Sequence, residues 1–254
     1  MTGAGNKTVE EIIANLPEAL QGNVSLWAER FFAVDESTND VPRIAVNQLG
    51  PLLRLIATSD FAARVSRREQ HWLREALAHG EFDAPVEVAK VRTYIDESCS
   101  AGADEDSIRS RFRRCRNRQL LHILWRVVAG TDNLKETLAS LSDLADTLIE
   151  AAVACSGDLL ESRFGMPRNS DGEPIPMVVI AMGKLGGHEL NFSSDVDLIF
   201  LYRDEGETDG PRAISAHEYF ARRVRKVVSL LDDVTEDGFV YRVDTRLRPF
   251  GDSG

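Results

Sequence analysis

An α+β fold is predicted, with a helical region over residues 1–166 and a smaller domain containing a small sheet over residues 167–254. Three observations predict it. Apolar residues return every three or four positions from about Val9 to Gly157, the period of amphipathic helices. A Pro/Gly/Asp stretch from Pro167 to Pro176 interrupts that pattern and reads as an exposed linker. Short β-type runs begin beyond it.

Within the helical region, one helix is expected to start near Asp104, whose carboxylate can cap it. It carries Ile108, Phe112 and Cys115 inward, continues through the apolar stretch Leu120 to Val128, and stops at Gly130. Leu134, Leu138, Leu141, Leu144, Ala145, Leu148 and Ala152 form the core stripe of the next helix, with Lys135, Glu136, Asp143 and Asp146 largely off it. Trp27, Trp72, Trp125 and Cys115 read as packing residues.

In the second domain, Met177 to Ala181 reads as a buried strand and Gly183 to Ser194 as a turn-rich loop. Asp195 to Tyr202 is a second strand, and Gly206 to Pro211 a surface loop. A helix from about Ser215 to Asp233 buries Phe220, Val224, Val227, Val228 and Leu231, after which Gly238 opens a third strand through Arg246.

Composition narrows the function. At 254 residues the chain can bury a sizeable core as one large domain or two modest ones. The three cysteines form no CxxC pair and lack nearby histidines at zinc spacing, which fits a reducing cytoplasm. Met1 to Asn6 has no apolar signal core. The longest apolar runs fall far short of the roughly 20 residues a bilayer demands, so no membrane partner is expected. A formal charge of −11 disfavours nucleic acid, which calls for a basic surface.

The informative segment runs from Gly183 through Asp197. Side chains alternate along a strand, so Asp195 and Asp197 project from one face while Val196 and Leu198 face the other way. Two ionised carboxylates at close range repel unless a hard cation such as Mg²⁺ accepts their oxygens. The plain alternative is a solvated strand end. Gly186 and Gly187 remove side chains where backbone N–H groups could approach a phosphate, and Ser193 and Ser194 add hydroxyls; a simple tight turn is the competing reading. Lys184 joins them as a candidate phosphate ligand, against the bland reading of a surface lysine. The order is not that of a Walker A loop, and no Gly-x-Gly-x-x-Gly follows the strand. Asp244 supplies a third acid, sharing a strand face with Arg242 and Arg246, which suits phosphoryl oxygens. His188 reads as a loop residue rather than a base. Together the three acids could position one or two metal ions for in-line displacement at phosphorus.

A glycine pair followed by Asp-x-Asp on a strand, with a later third acid, resembles the polymerase beta-type nucleotidyltransferase superfamily. The wording Met-Gly-Lys-Leu-Gly-Gly-His-Glu-Leu-Asn-Phe-Ser-Ser-Asp-Val-Asp-Leu-Ile-Phe from Met182 to Phe200, with Val-Asp-Thr-Arg-Leu-Arg-Pro-Phe-Gly-Asp-Ser-Gly from Val243 to Gly254, closely resembles bacterial glutamine synthetase adenylyltransferase/adenylyl-removing enzymes. That family carries two copies of the catalytic unit, and Met182 with Asn191 to Ser194 matches the N-terminal, deadenylylating one. Weaker similarity extends upstream through Leu55 to Ala62, Arg111 to Arg114 and Leu141 to Asp146, so the resemblance covers roughly residues 50–254. Where family members often have an Arg-Asp pair, this chain has Arg126-Val127. Family members also continue well past the third acid, so a fragment is expected.

The resemblance implies a polymerase beta-like domain with a small mixed sheet over residues 167–254. It implies phosphorolysis: phosphate takes AMP from an adenylylated tyrosine of glutamine synthetase, releasing ADP and the free tyrosine. Asp195, Asp197 and Asp244 would be the catalytic and metal-binding residues, with Mg²⁺ or Mn²⁺. Gly186, Gly187, Ser194, Lys184 and Arg246 would contact nucleotide or phosphate. Implied partners are glutamine synthetase, a PII signal-transduction protein, and ATP/ADP with phosphate. Three other readings compete: ATP-dependent adenylylation of the synthetase, a non-catalytic nucleotide- or PII-binding fragment, and transfer to a small molecule or RNA end. Arg109, Arg111, Arg113, Arg114, Arg116 and Arg118 read as a solvated, ion-paired face, or alternatively as a docking surface for acidic synthetase, adenylate or regulatory protein.

Overall fold

The computed structural model describes residues 3–33, 42, 44–97, 99 and 104–246; the tail of the second motif, 247–254, lies outside them. It is an α+β fold, dominated by helices and carrying a small mixed sheet. The chain divides into two compact units, residues 1–86 with 117–137, and residues 87–116 with 138–254. Two long helices, α7 (Glu105–Ala129) and α8 (Leu134–Phe164), each contribute to both.

The first unit contains α1 (Gly3–Ala14), α2 (Glu18–Phe32), α3 (Val46–Thr58), α4 (Asp60–Arg68), α5 (Gln70–Ala78) and a 3₁₀ turn, Glu81–Asp83. Its core joins Trp27 and Phe31, stacked at 4.4 Å, with Leu52, Leu53, Leu73 and Trp125. Burying each such side chain stabilises the unit by about 1.5–3 kcal/mol. Trp72 is only partly buried and packs at the rim. The turn between α7 and α8 is built as expected, with Gly130 at φ +74° and Thr131 N–H donating back to the Arg126 carbonyl. Asn133 and Glu136 then exchange hydrogen bonds of 3.1 and 2.8 Å, a capping box that starts α8. Arg126 pairs with buried Asp132 across that turn, its Nη2 2.6 Å from Oδ1, and its Nη1 donates to the Phe82 carbonyl. The acid that Arg126 meets thus lies six residues on in the chain.

The second unit holds α6 (Val88–Asp96), the N-terminal part of α7, most of α8, and everything beyond. Asp104 caps α7 through the Ser107 N–H at 3.1 Å. Leu141, Leu144, Ala145, Leu148 and Ala152 are buried along α8, but Leu134, expected on that stripe, is 75% exposed. It is the first residue of the helix. The sheet has the order β2 (Met177–Met182), β3 (Val196–Tyr202), β5 (Val243–Asp244), antiparallel between β2 and β3 and parallel between β3 and β5. Helix α10 (Ala216–Asp232), capped by Ser215, buries Tyr219, Phe220, Val227, Leu230 and Leu231, while Val224 and Val228 stay half-exposed.

Four expectations change here. The stretch expected as a linker contains β1 (Pro167–Arg168), paired with β4 (Glu207–Thr208) from the segment expected as a loop; Arg168 Nε binds Asp209 Oδ2 at 2.5 Å, and Ile175 is buried. Strand β2 is not buried on both faces, for Val178, Ile180 and Met182 are exposed. The third strand is two residues long, because Val240 and Tyr241 donate to the Leu231 carbonyl and wrap the end of α10 instead. Finally, Arg113 is fully buried rather than solvated. It donates to the carbonyls of Arg109, Leu230, Asp233 and Gly238, closing the C-terminus of α10. Arg118 also turns inward, its Nε 2.7 Å from buried Glu69.

Candidate active site

The candidate residues gather where β2 ends and β3 begins. Met182, the last residue of β2, is the cross-strand partner of Asp197, and Asp197 in turn lies beside Asp244 of β5. Directly opposed residues share a sheet face. One exposed face therefore runs from Val178 and Leu201, through Ile180 and Ile199, to Met182, Asp197 and Asp244. Val196 and Leu198 point into the core at 0% and 1% exposure, as the alternation requires.

Asp195 precedes the strand by one residue and is exposed. Its Oδ1 accepts from Arg242 Nε at 2.6 Å. Arg242 was expected to flank Asp244, and the parallel register sends it to Asp195 instead. Asp244 is held by Arg246 alone among the described arginines: Nε donates to Oδ1 at 3.0 Å and the backbone N–H donates to the same oxygen at 2.9 Å. These bonds hold the Asp244 carboxyl at about 2, well below the ordinary carboxylate range. Asp244 in return raises Arg246 further, with the charge of Asp197 adding to the effect.

The loop between β2 and β3 begins with a single helical turn, α9 (Gly183–Gly186). Gly183 adopts φ +57°, and a Cβ there would lie 2.6 Å from Asp197 Oδ2. Only glycine lets this carboxylate rest over the turn. Sequence reading passed over Gly183, although a glycine directly after a strand is a signal of close approach. A Cβ on Gly186 would meet the Ala181 carbonyl at 2.5 Å, so this glycine is required by packing against β2. Gly187 faces no such crowding, and its N–H is engaged with the Gly183 carbonyl at 3.0 Å. Lys184 is exposed beside them.

The rest of the loop is fastened from within. Leu185 and Leu190 are buried, and Leu190 N–H donates to the buried Ser142 hydroxyl of α8 at 3.1 Å. His188, at φ +55°, places Nε2 3.4 Å from Asp143, consistent with a loop residue held by α8. Asn191 organises the last turn: its Oδ1 accepts from the Ser193 N–H at 3.2 Å and from the Ser194 hydroxyl at 2.8 Å. Ser194 therefore reaches Asp195 on a turn with little freedom.

Taken as donors, the three acids offer only hard oxygen atoms, the ligand type that Mg²⁺ and Mn²⁺ take. Among the described residues, no three acidic, histidine or cysteine side chains are drawn together as a ready metal cluster. Two of the acids are instead balanced by arginine. The arrangement combines an anionic centre with two guanidinium groups that match phosphoryl oxygens. Among the described residues, no helix is long and apolar enough to cross a membrane.

Residues 49–254 match the protein-family model described as glutamate-ammonia ligase adenylyltransferase. The chain is 43% identical over 240 residues to the bifunctional glutamine synthetase adenylyltransferase/adenylyl-removing enzyme of Thioalkalivibrio sulfidiphilus, covering 94% of this chain and 24% of that protein. The protein of the same name from Pseudomonas putida is 38% identical over 248 residues, covering 95% and 25%. That from Pseudomonas aeruginosa is 43% identical over 203 residues, covering 79% and 21%. The chain thus spans about a quarter or less of the length of these curated relatives.

Proposed function

From the premise that the chain belongs to the glutamate-ammonia ligase adenylyltransferase family, we propose that it removes AMP from adenylylated tyrosine of glutamine synthetase by phosphorolysis. The observation that carries the reading is the in-register pair Asp197 and Asp244, with Asp195 one step upstream and Arg242 and Arg246 bound to two of the three acids. The site is assigned to the cytoplasm, with glutamine synthetase as protein substrate, ADP as product, and a PII protein as the regulator of direction.

Asp195, Asp197 and Asp244 would hold Mg²⁺ or Mn²⁺. A cation held there would supply charge neutralisation at the phosphoryl oxygens. Arg242 and Arg246 belong to the same charge balance: each already neutralises a carboxylate and presents further N–H donors to phosphoryl oxygens. Lys184 and Ser194 orient the incoming phosphate, the Ser194 hydroxyl by turning from Asn191, and Gly187, where a Cβ would meet nothing nearer than 3.5 Å, leaves room for it. The apolar face of Ile180, Met182 and Ile199 borders the acids and would receive the aromatic parts of the adenylyl-tyrosine. Because the transition state is loose, such positioning and charge balance are the main contribution a protein makes.

The test incubates the chain with adenylylated glutamine synthetase, Mg²⁺ and phosphate, and weighs the synthetase subunit by intact mass spectrometry. Loss of one AMP mass with appearance of ADP supports the reading. A mass gain that depends on ATP reverses the direction. Identical behaviour of wild type and Asp195→Asn removes the assignment of the acids.

A further inference from the structure

A cavity of about 410 Å³ opens in the second unit between the C-terminal end of α8 and one flank of α10. It shares no lining residue with the acidic centre. Four cations line it, Arg163 from α8 and Arg222, Arg225 and Lys226 from α10, against a single carboxylate, Glu105. In a chain whose formal charge is −11 this is a marked local inversion. The α10 cations share a flank because they recur three and four positions apart.

Like charges packed this way repel, and internal partners offset only half of them. Arg222 is held by Glu218, Nε to Oε1 at 3.1 Å, and Lys226 by Glu105 at 2.7 Å. Among the described residues, no carboxylate lies within ion-pair distance of Arg163 or Arg225. Both Arg163 and Arg222 rest over the Phe164 ring, at 5.1 and 5.2 Å, so both guanidinium groups are positioned, and that of Arg163 is positioned without being neutralised. Phe164 and Leu160 give the cavity an apolar floor.

We propose that this cavity is a second, non-catalytic site for an oligophosphate group, a di- or triphosphate carried by a nucleotide or free in solution. Guanidinium forks match tetrahedral phosphate oxygens two at a time, whereas a single monovalent anion would leave half of the excess charge unbalanced. The volume fits a nucleotide-sized ligand, since small-molecule sites run from about 300 to 1,000 Å³, and the apolar floor suits a flat base.

The experiment is calorimetric titration of the chain with tripolyphosphate, ADP and adenosine in EDTA. Tripolyphosphate and ADP are expected to bind and adenosine not to. Arg163→Gln/Arg225→Gln should weaken phosphate binding about ten-fold or more, because charge-assisted phosphate contacts are lost. Both arginines are exposed and free of ion pairs among the described residues, so the double variant should fold, which circular dichroism checks. Arg203→Glu, an exposed charge outside the cavity, should change affinity by no more than about two-fold, as expected of a screened surface charge. Tighter binding of ADP than of tripolyphosphate assigns a nucleotide, and the reverse assigns a free phosphate chain. The proposal is overturned if neither phosphate ligand binds, if the double variant binds as wild type does, or if Arg242→Gln/Arg246→Gln alone abolishes all binding, which would place the anion at the acidic centre.

Discussion

Asp197 of β3 stands beside Asp244 of β5 in a parallel ladder, with the extended side chain and backbone N–H of Arg246 bound to the second carboxylate. Like charges directly opposed on a sheet destabilise it, so this pair persists because Arg246 compensates it. If the acids serve phosphoryl transfer, Asp197→Asn and Asp244→Asn should each lower the removal rate by about 100-fold or more, corresponding to about 2.7 kcal/mol of lost transition-state stabilisation. Thermal unfolding should hardly change, because neither side chain belongs to the core. Rates within a few-fold of wild type would separate the acids from the chemistry.

The ionisation of Asp244 can be followed directly. Its folded pKa of about 2 lies below the ordinary aspartate value of about 3.9. The favourable contribution is therefore complete above about pH 4 and is lost as pH falls toward 2. Carboxyl-carbon NMR should place the Asp244 midpoint near 2, and Arg246→Ala should return it toward the ordinary range. An unmoved midpoint in the variant would show that Arg246 is not the cause.

Gly183 sits where both backbone and space demand glycine, at φ +57° with Asp197 Oδ2 2.6 Å from the position a Cβ would take. Gly183→Ala should cost about 1–2 kcal/mol from the left-handed conformation alone, and it must also displace the carboxylate. Activity is expected to fall by more than stability does. Retained removal activity at a lowered melting temperature would mean that Asp197 needs no such seat.

Much of this organisation is legible in the chain because its causes are local. Asp104 and Gly130 bound α7 through their own near neighbours, and the period-two burial of Val196 and Leu198 puts Asp197 on the open face. What escapes sequence reading depends on distant partners. The third strand shortens because Val240 and Tyr241 hydrogen-bond to the Leu231 carbonyl. Arg242 meets Asp195 only once the parallel register is known. Arg113 looks like one charge in a solvated arginine run, yet its acceptors Leu230 and Gly238 lie 117 and 125 residues away. A charged residue signals exposure unless something remote satisfies it.

That remote satisfaction makes Arg113 a structural residue. Removing it leaves the carbonyls of Leu230, Asp233 and Gly238 without their shared donor. Only the bond to Leu230 is fully buried, and the Gly238 carbonyl still accepts from Thr235, so at about 1–3 kcal/mol per buried unsatisfied group Arg113→Met should destabilise the second unit by about 1–3 kcal/mol. Arg113→Lys should recover little, because one ammonium cannot span acceptors a planar fork reaches. Thermal or denaturant unfolding indistinguishable from wild type would show that water replaces the guanidinium there.

The Arg126–Asp132 pair poses the complementary question, whether a buried charge pair stabilises the first unit or only becomes costly when broken. Both side chains are nearly inaccessible, 8% and 4% exposed, and Arg126 also holds the Phe82 carbonyl. Breaking such a pair from one side strands a charge and costs about 3–5 kcal/mol, whereas replacing both partners with apolar groups is often close to neutral. Asp132→Leu and Arg126→Met are therefore each expected to be strongly destabilising. The double variant should recover most of the loss, except the part owed to the Phe82 carbonyl, about 1–3 kcal/mol for an acceptor left unsatisfied. A double-mutant cycle by denaturant unfolding decides the point. Additive losses would mean that the two side chains stabilise the turn independently, and that the charge pair across Gly130 is not what joins α7 to α8.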